Sequence, residues 1–386
     1  MKRMLLLLAL LAAALLIGSC AQPPVREAPA TEEPEPVPEP PPTPSPASAP
    51  EPDAAERLLA SMSTEEKVCQ LLMLCSSDEE EIAFAAAHGA GGLCLYADSF
   101  AGKDKASVLA MTQELQAAAR IPLLLAVDEE GGTVCRVSAN PLLRPTPFAA
   151  PRTLYAQGGW PLIESDAAEK AQLLLSLGLN VNLAPVADVP LNRWNYIYER
   201  SFSTDPAETA DYVSLVVTVM RREGLGCALK HFPGYGGSAD THTGQAVDAR
   251  PYEAFTEGDF LPFRAGVEAG ADAVLVSHNI VQCMDANAPA SLSPEVHRIL
   301  RQELGFTGVV LCDDLGMGAI GQFTGGRNAA VDAVLAGNDL LCCGDFAGSA
   351  QALLAAAEDG VLPREQLDAS VLRILRWKLS LGLDLG

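Results

Sequence analysis

Short apolar runs recur along the chain from residue 68 onward, each bounded by turn residues and followed by a stretch of helical period. They lie at 68–75 (VCQLLMLC), 91–96 (GGLCLY), 122–128 (PLLLAVD), 179–188 (LNVNLAPVAD), 226–232 (GCALKHF), 272–278 (DAVLVSH), 308–314 (GVVLCDD) and 339–345 (DLLCCGD). Amphipathic stretches at 104–119, 165–177, 206–223, 294–304 and 350–358 separate several of them. Ser63 followed by Glu66 reads as a capping box that opens the first helix of this series. Continuous apolar strands alternating with helices predict a parallel sheet covered by helices. Eight such units in about 330 residues fit a (β/α)8 barrel of TIM type. A doubly wound open sheet is the rival, but no Gly-x-Gly-x-x-Gly turn follows an early strand.

The pattern is different before residue 54. Residues 1–19 read as a short basic start, an apolar run and small residues leading to Cys20. That order is similar to a bacterial lipoprotein signal, with cleavage before Cys20 and lipid on its thiol. Acyl chains there would tether the protein to a membrane surface without spanning it, in the cell envelope. Residues 20–53 are dense in Pro and Glu, cannot bury enough apolar surface to fold, and read as a spacer. Residues 54–386 are then a single catalytic domain.

Composition narrows the partners. The 386 residues carry a formal net charge of −23, which argues against nucleic acid, because phosphate contacts need clustered Lys and Arg. Most cysteines lie inside apolar runs and show no metal-type spacing, so buried free thiols are expected, and neither metal nor cofactor.

Candidate chemistry gathers where the strands end. Asp128, Asp188, Lys230 with His231, His278, Asp313 with Asp314, and Asp345 all fall at or just past the end of an apolar run. In a barrel those ends form one ring, the ring where active sites sit. One such group could cap the following helix; six of eight ends are hard to explain that way. The chain has no His-x-His on its first strand and no Gly-x-Ser-x-Gly elbow, so neither a metal hydrolase nor a serine nucleophile fits. Several carboxylates at a barrel rim suit glycoside hydrolysis.

These residues carry a resemblance. The segments STEEKVCQLLML from Ser63, DEEGGTVCR at 128–136, NLAPVADV at 182–189 and ERSFSTDP at 199–206 occur in order. They are followed by KHFPGYGGSADTH from Lys230, the long segment 289–320, and VLRILRWKLSLGL near the end. Together they are similar to family 3 glycoside hydrolases, specifically to the β-N-acetylhexosaminidase branch. The resemblance implies that Asp313 is the nucleophile of a retaining mechanism and His242 the acid/base, with Asp240 its carboxylate partner. It implies that Asp128, Arg136, Arg200, Lys230 and His231 bind the sugar. It implies action on terminal N-acetylglucosamine, in peptidoglycan fragments or chitooligosaccharides. An imidazole suits the shuttle role, because its pKa lies near working pH. Gly234, Gly236 and Gly237 would let the loop carrying His242 swing.

Other groups read as support: Asp188 for the rim, Asp314 for the loop after strand seven, and His278 behind the site. His88 and His297 sit in helical patterns and read as structural. Two departures stand out. Tyr235 replaces the second His of the family's KHFPGHG, and the gap from Lys-His to Asp-x-His is one residue shorter. Thr133 also stands where the family often has Arg. Three alternatives stay open at this point: a family 3 β-glucosidase, a lipoprotein that binds cell-wall sugars without cleaving them, and transfer to phosphate instead of water.

Overall fold

The computed structural model describes residues 53–241 and 244–385. The signal sequence, Cys20, the Pro/Glu-rich segment through residue 52, and His242 therefore lie outside the described residues. Eight parallel strands close into a barrel. They are Leu72–Ser76, Gly92–Leu95, Leu124–Val127, Val181–Asn182, Gly226–Phe232, Ala273–Val276, Val309–Cys312 and Leu340–Cys343. Each pairs with its neighbours in chain order, and the first closes on the eighth through Leu72↔Leu341 and Met73↔Cys342. Every strand residue is buried, because the barrel interior and the helical layer outside cover both faces. The expected (β/α)8 fold is thus the observed one.

Element edges differ from the expectation where local chemistry intervenes. Val68–Gln70 belong to the helix Thr64–Gln70, which Ser63 and Glu66 open with the predicted reciprocal capping bonds. The first strand starts only at Leu72. An apolar run buried on both sides does not itself say where helix stops and strand begins. The fourth strand keeps two residues of the expected ten. Pro185 has no N–H to give the ladder, and beyond it only the bridge Val186↔Lys230 continues the pairing. The expected helix 294–304 is α-helical over Pro294–Arg298 and widens to a π-turn over Ile299–Glu303. The helix Pro206–Glu223 has the predicted bounds, with Asp205 capping its start and Gly224 its end.

After the third strand a small hairpin, Glu129–Gly131 against Val134–Cys135, stands on the rim. Glu129 shapes it: its buried carboxylate accepts from the backbone N–H of Arg136 (2.9 Å), Val137 (2.7 Å) and Ser138 (3.3 Å), and from the Ser138 hydroxyl. This fold of the backbone aims Arg136 back over the barrel. In the fifth strand the register slips between Lys230 and Phe232, so the consecutive side chains of Lys230 and His231 both reach the same end.

Candidate active site

The strand ends surround a cavity of about 410 Å³. Asp128, Arg136, Arg200, Lys230, His231 and Asp313 all line it, so six of the eight residues implied by the resemblance stand together. Asp240 is half-buried and does not line the cavity; burial raises the Tyr196 phenol, and the nearby Asp240 adds to that. A larger cleft of about 540 Å³ opens where strands six and seven begin. Its Arg221, Arg373 and Arg376 are engaged by Asp272, Asp339, and Asp53 with Glu56, so it offers salt bridges and no convergent reactive groups.

The cation side of the cavity is organised by a residue that sequence reasoning missed. Glu130, 5 % exposed, takes Arg200 Nε (3.0 Å) and Nη2 (2.7 Å) on its two oxygens, and Lys230 Nζ at 2.6 Å. Lys230 reaches Asp128 at 2.5 Å as well. Burial alone would push the Glu130 carboxyl up, yet Lys230 and Arg200 beside it hold it well below the usual carboxylate range. Burial likewise works against the Lys230 ammonium, and Asp128 and Glu130 raise it above an ordinary lysine regardless. The only sign in the sequence was a second carboxylate within DEEGG, where Glu129 and Glu130 look interchangeable. One shapes the hairpin backbone; the other charges the cavity wall.

His231 has its tautomer fixed by its neighbours. Arg200 Nη2 sits 3.2 Å from Nε2, and a guanidinium can only donate, so Nε2 accepts. Nδ1 then carries the proton and donates to Asp188 Oδ2 at 2.7 Å. Asp188, fully buried, also accepts the backbone N–H of His231 and of Tyr235. The rim-supporting role read for Asp188 is what its hydrogen bonds describe.

On the opposite wall, one Asp313 carboxylate oxygen accepts the Asp314 N–H at 2.9 Å, and the Asp313 backbone N–H donates to Val276 O. Asp314 caps the next turn through Gly316 N–H, while His278 bridges Ser291 Oγ (2.7 Å) and the Asp314 carbonyl (2.9 Å) from behind. Arg136 Nε is buried with no protein acceptor among the described residues, a donor placed for an oxygen from elsewhere. Cys75 and Cys94 also line the cavity; hydrogen bonding among the thiols and burial hold both far above an ordinary thiol. Asp345 is the strand-end group that turns out to be a helix cap, accepting Gly348 N–H. His88 and His297 bond carbonyls of their own helices, away from the cavity.

The loop after strand five is packed where it begins. Pro233–Gly236 are buried, and a side-chain carbon added at Gly234 or Gly236, both at positive φ, would run into the Arg250–Asp259 ion pair. In this stretch the glycines permit close approach rather than the free hinge that composition suggested. Tyr235, the departure from the family segment, is buried, and its hydroxyl meets Thr241 Oγ1 at 2.6 Å. The Thr241 carbonyl accepts from Ala319 N–H, in the helix that follows Asp313. Thr241 immediately precedes His242.

Residues 63–377 match the Glycosyl hydrolase family 3 N terminal domain. A beta-hexosaminidase of Stenotrophomonas maltophilia (strain R551-3) is 39% identical over 257 residues, 65% of this chain and 75% of that protein. A beta-hexosaminidase of Xylella fastidiosa (strain 9a5c) is 39% identical over 252 residues, 63% of this chain and 73% of that one. Among solved structures, a glycoside hydrolase family 3 beta-N-acetylglucosaminidase from Paenibacillus sp. str. FPU-7 superposes with a TM-score of 0.78 at 31% identity. That alignment covers 84% of this chain, which spans 64% of the Paenibacillus chain. With its barrel, its carboxylate-lined cavity and this match over most of its length, the chain belongs to glycosyl hydrolase family 3 and is a glycoside hydrolase.

Proposed function

We propose that the chain is a retaining, exo-acting β-N-acetylhexosaminidase that removes terminal N-acetylglucosamine from peptidoglycan fragments or chitooligosaccharides. The observation that carries this reading is the meeting of Asp313 with Asp128, Arg136, Arg200 and Lys230 around one cavity. Its volume falls in the range of small-molecule sites, about 300–1,000 Å³.

In this mechanism Asp313 attacks the anomeric carbon as the bond to the leaving oxygen breaks, giving a glycosyl ester on Asp313. His242 protonates the departing oxygen, then takes a proton from the water that hydrolyses the ester. Asp240 accepts a ring N–H of His242 and stabilises the imidazolium. The tie of Thr241 to both Tyr235 and the helix after Asp313 supports bringing residue 242 to the cavity. Lys230, Arg200 and Arg136 donate to sugar oxygens, Asp128 accepts from a hydroxyl, and His231 holds Arg200 in line. His231 thereby takes a narrower part than the resemblance implies, since Nε2 is already engaged.

We further propose export and anchoring of the protein through lipid on Cys20, supported by the order of basic, apolar and small residues before it. Mass spectrometry of the mature N-terminus, with Cys20→Ala as control, tests this: diacylglyceryl mass on Cys20 is expected, and an unmodified residue contradicts it.

Aryl N-acetyl-β-glucosaminide and aryl β-glucoside, assayed side by side, test the activity. Turnover of the first at least about 100-fold faster in kcat/KM is expected; preference for the glucoside overturns the reading. His242→Ala should lose far more rate on substrates with poor leaving groups than on activated ones, since activated ones need no proton. Equal losses contradict the acid role.

A further inference from the structure

The chain leaves the barrel after strand four and returns to it by way of an excursion whose two ends line the cavity: Leu183 at one, Tyr196 and Arg200 at the other. Between them, Leu191 is 56% exposed, Trp194 83% and Tyr196 36%. Single exposed apolar side chains need no explanation; three within six residues at the mouth of a binding cavity form a patch.

The excursion has a defined shape. Asn192 N–H donates to Asn195 Oδ1 at 2.8 Å, and Trp194 N–H donates to Asn192 Oδ1 at 2.9 Å, so the two Asn side chains close a turn around Trp194. The Arg193 guanidinium lies 5.0 Å over the Trp194 ring. Tyr196 is fixed by its hydroxyl, which accepts from Arg200 Nη1 at 3.0 Å, and by edge contact with Tyr235 at 5.8 Å. On its other side the excursion abuts the loop that leads to Asp240: a carbon added at Gly237 would stand 2.9 Å from Leu191 Cδ1. One residue, Asn195, separates Trp194 from the cavity-lining Tyr196, so their Cα atoms lie at most about 7 Å apart. Through Tyr196 the patch therefore adjoins the rim of the cavity.

We propose that Leu191, Trp194 and Tyr196 form a binding platform for the pyranose on the leaving-group side of the scissile bond. A pyranose presents a face of C–H groups that packs on an aromatic ring, and the exposed indole has the area to receive it. A cavity of about 410 Å³ takes the terminal sugar; the next unit has to lie on this rim. The proposal rests on the hexosaminidase reading and assigns the part of the substrate that reading leaves unplaced.

The test compares N,N′-diacetylchitobiose with N-acetyl-β-glucosaminyl fluoride, whose leaving group is a single atom. In Trp194→Ala the ratio of kcat/KM for disaccharide over fluoride should fall roughly 5- to 30-fold, the scale of one ring-stacking contact. Trp194→Phe should restore most of it. A ratio unchanged from the wild type overturns the platform, as it would if the patch served a partner protein. Equal loss on both substrates also overturns it, showing that the indole merely supports the loop. Failure of the wild type to turn over either substrate would instead refute the hexosaminidase reading itself.

Discussion

The residue whose role is most disproportionate to its visibility in the sequence is Glu130. It bridges two cations and, together with Asp128 on Lys230, keeps Lys230 and Arg200 from being buried uncompensated. Replacing it by Gln removes the charge and keeps the volume. Glu130→Gln should lower kcat/KM about 10- to 100-fold, mostly through KM, because in the proposed mechanism the groups it orients bind substrate in ground and transition state alike. The sign of the pH effect also follows. Glu130 helps to raise Lys230, so its loss lets burial pull the ammonium down, and the alkaline limb of the kcat/KM profile moves to lower pH. A pH–rate profile of the variant checks this. A merely structural Glu130 would reduce folding stability and leave that limb in place.

At the scale of elements, the sequence announced the barrel because each strand is buried on both faces and so reads as an unbroken apolar run. It could not announce the strand edges. Helix Thr64–Gln70 and the first strand share one apolar run, and Pro185 truncates the fourth strand inside another. The groups at strand ends were legible for the same reason: a polar residue closing an apolar run marks where the chain emerges. Asp128, Lys230 and Asp313 were found that way, and so was Asp345, which proves to be a cap. The roles that depend on a fold of the backbone were not legible. Glu129 matters because a hairpin turns back onto its carboxylate, and the Tyr235–Thr241 contact depends on a loop path that composition does not encode. The family resemblance supplied Arg136 and Arg200, which lie in sequence well past the ends of the barrel strands.

At the scale of the whole molecule, one buried charge stands apart from the site. Lys378, in the last helix, is fully buried and donates to Gln70 Oε1 at 2.6 Å, with no carboxylate partner among the described residues. Burial pulls its pKa down to about 7. The unfolded chain, with an ordinary lysine near 10.4, then holds more protons than the native protein between about pH 7 and 10. Stability from this group is therefore highest above pH 10 and is lost as pH falls toward 7, below which the loss is complete. Thermal melting at steps from pH 7 to 10 should show the wild type gaining Tm relative to Lys378→Met as pH rises. A difference between the two that is independent of pH would contradict a neutralised lysine at this position. The same helix contributes to the cleft where strands six and seven begin and none of its residues lines the cavity, so this titration should leave the pH profile of catalysis untouched.

Activity in this account rests on Asp313 forming a bond to the sugar. A mechanism-based probe, a 5-fluoro N-acetylglucosaminyl fluoride, slows breakdown of such an ester and lets it accumulate. Incubation followed by peptide mapping should find one added fluoro-sugar on the peptide containing Asp313, and none in Asp313→Ala. Label on another carboxylate, or turnover of the N-acetyl-β-glucosaminide undiminished in Asp313→Ala, would contradict it.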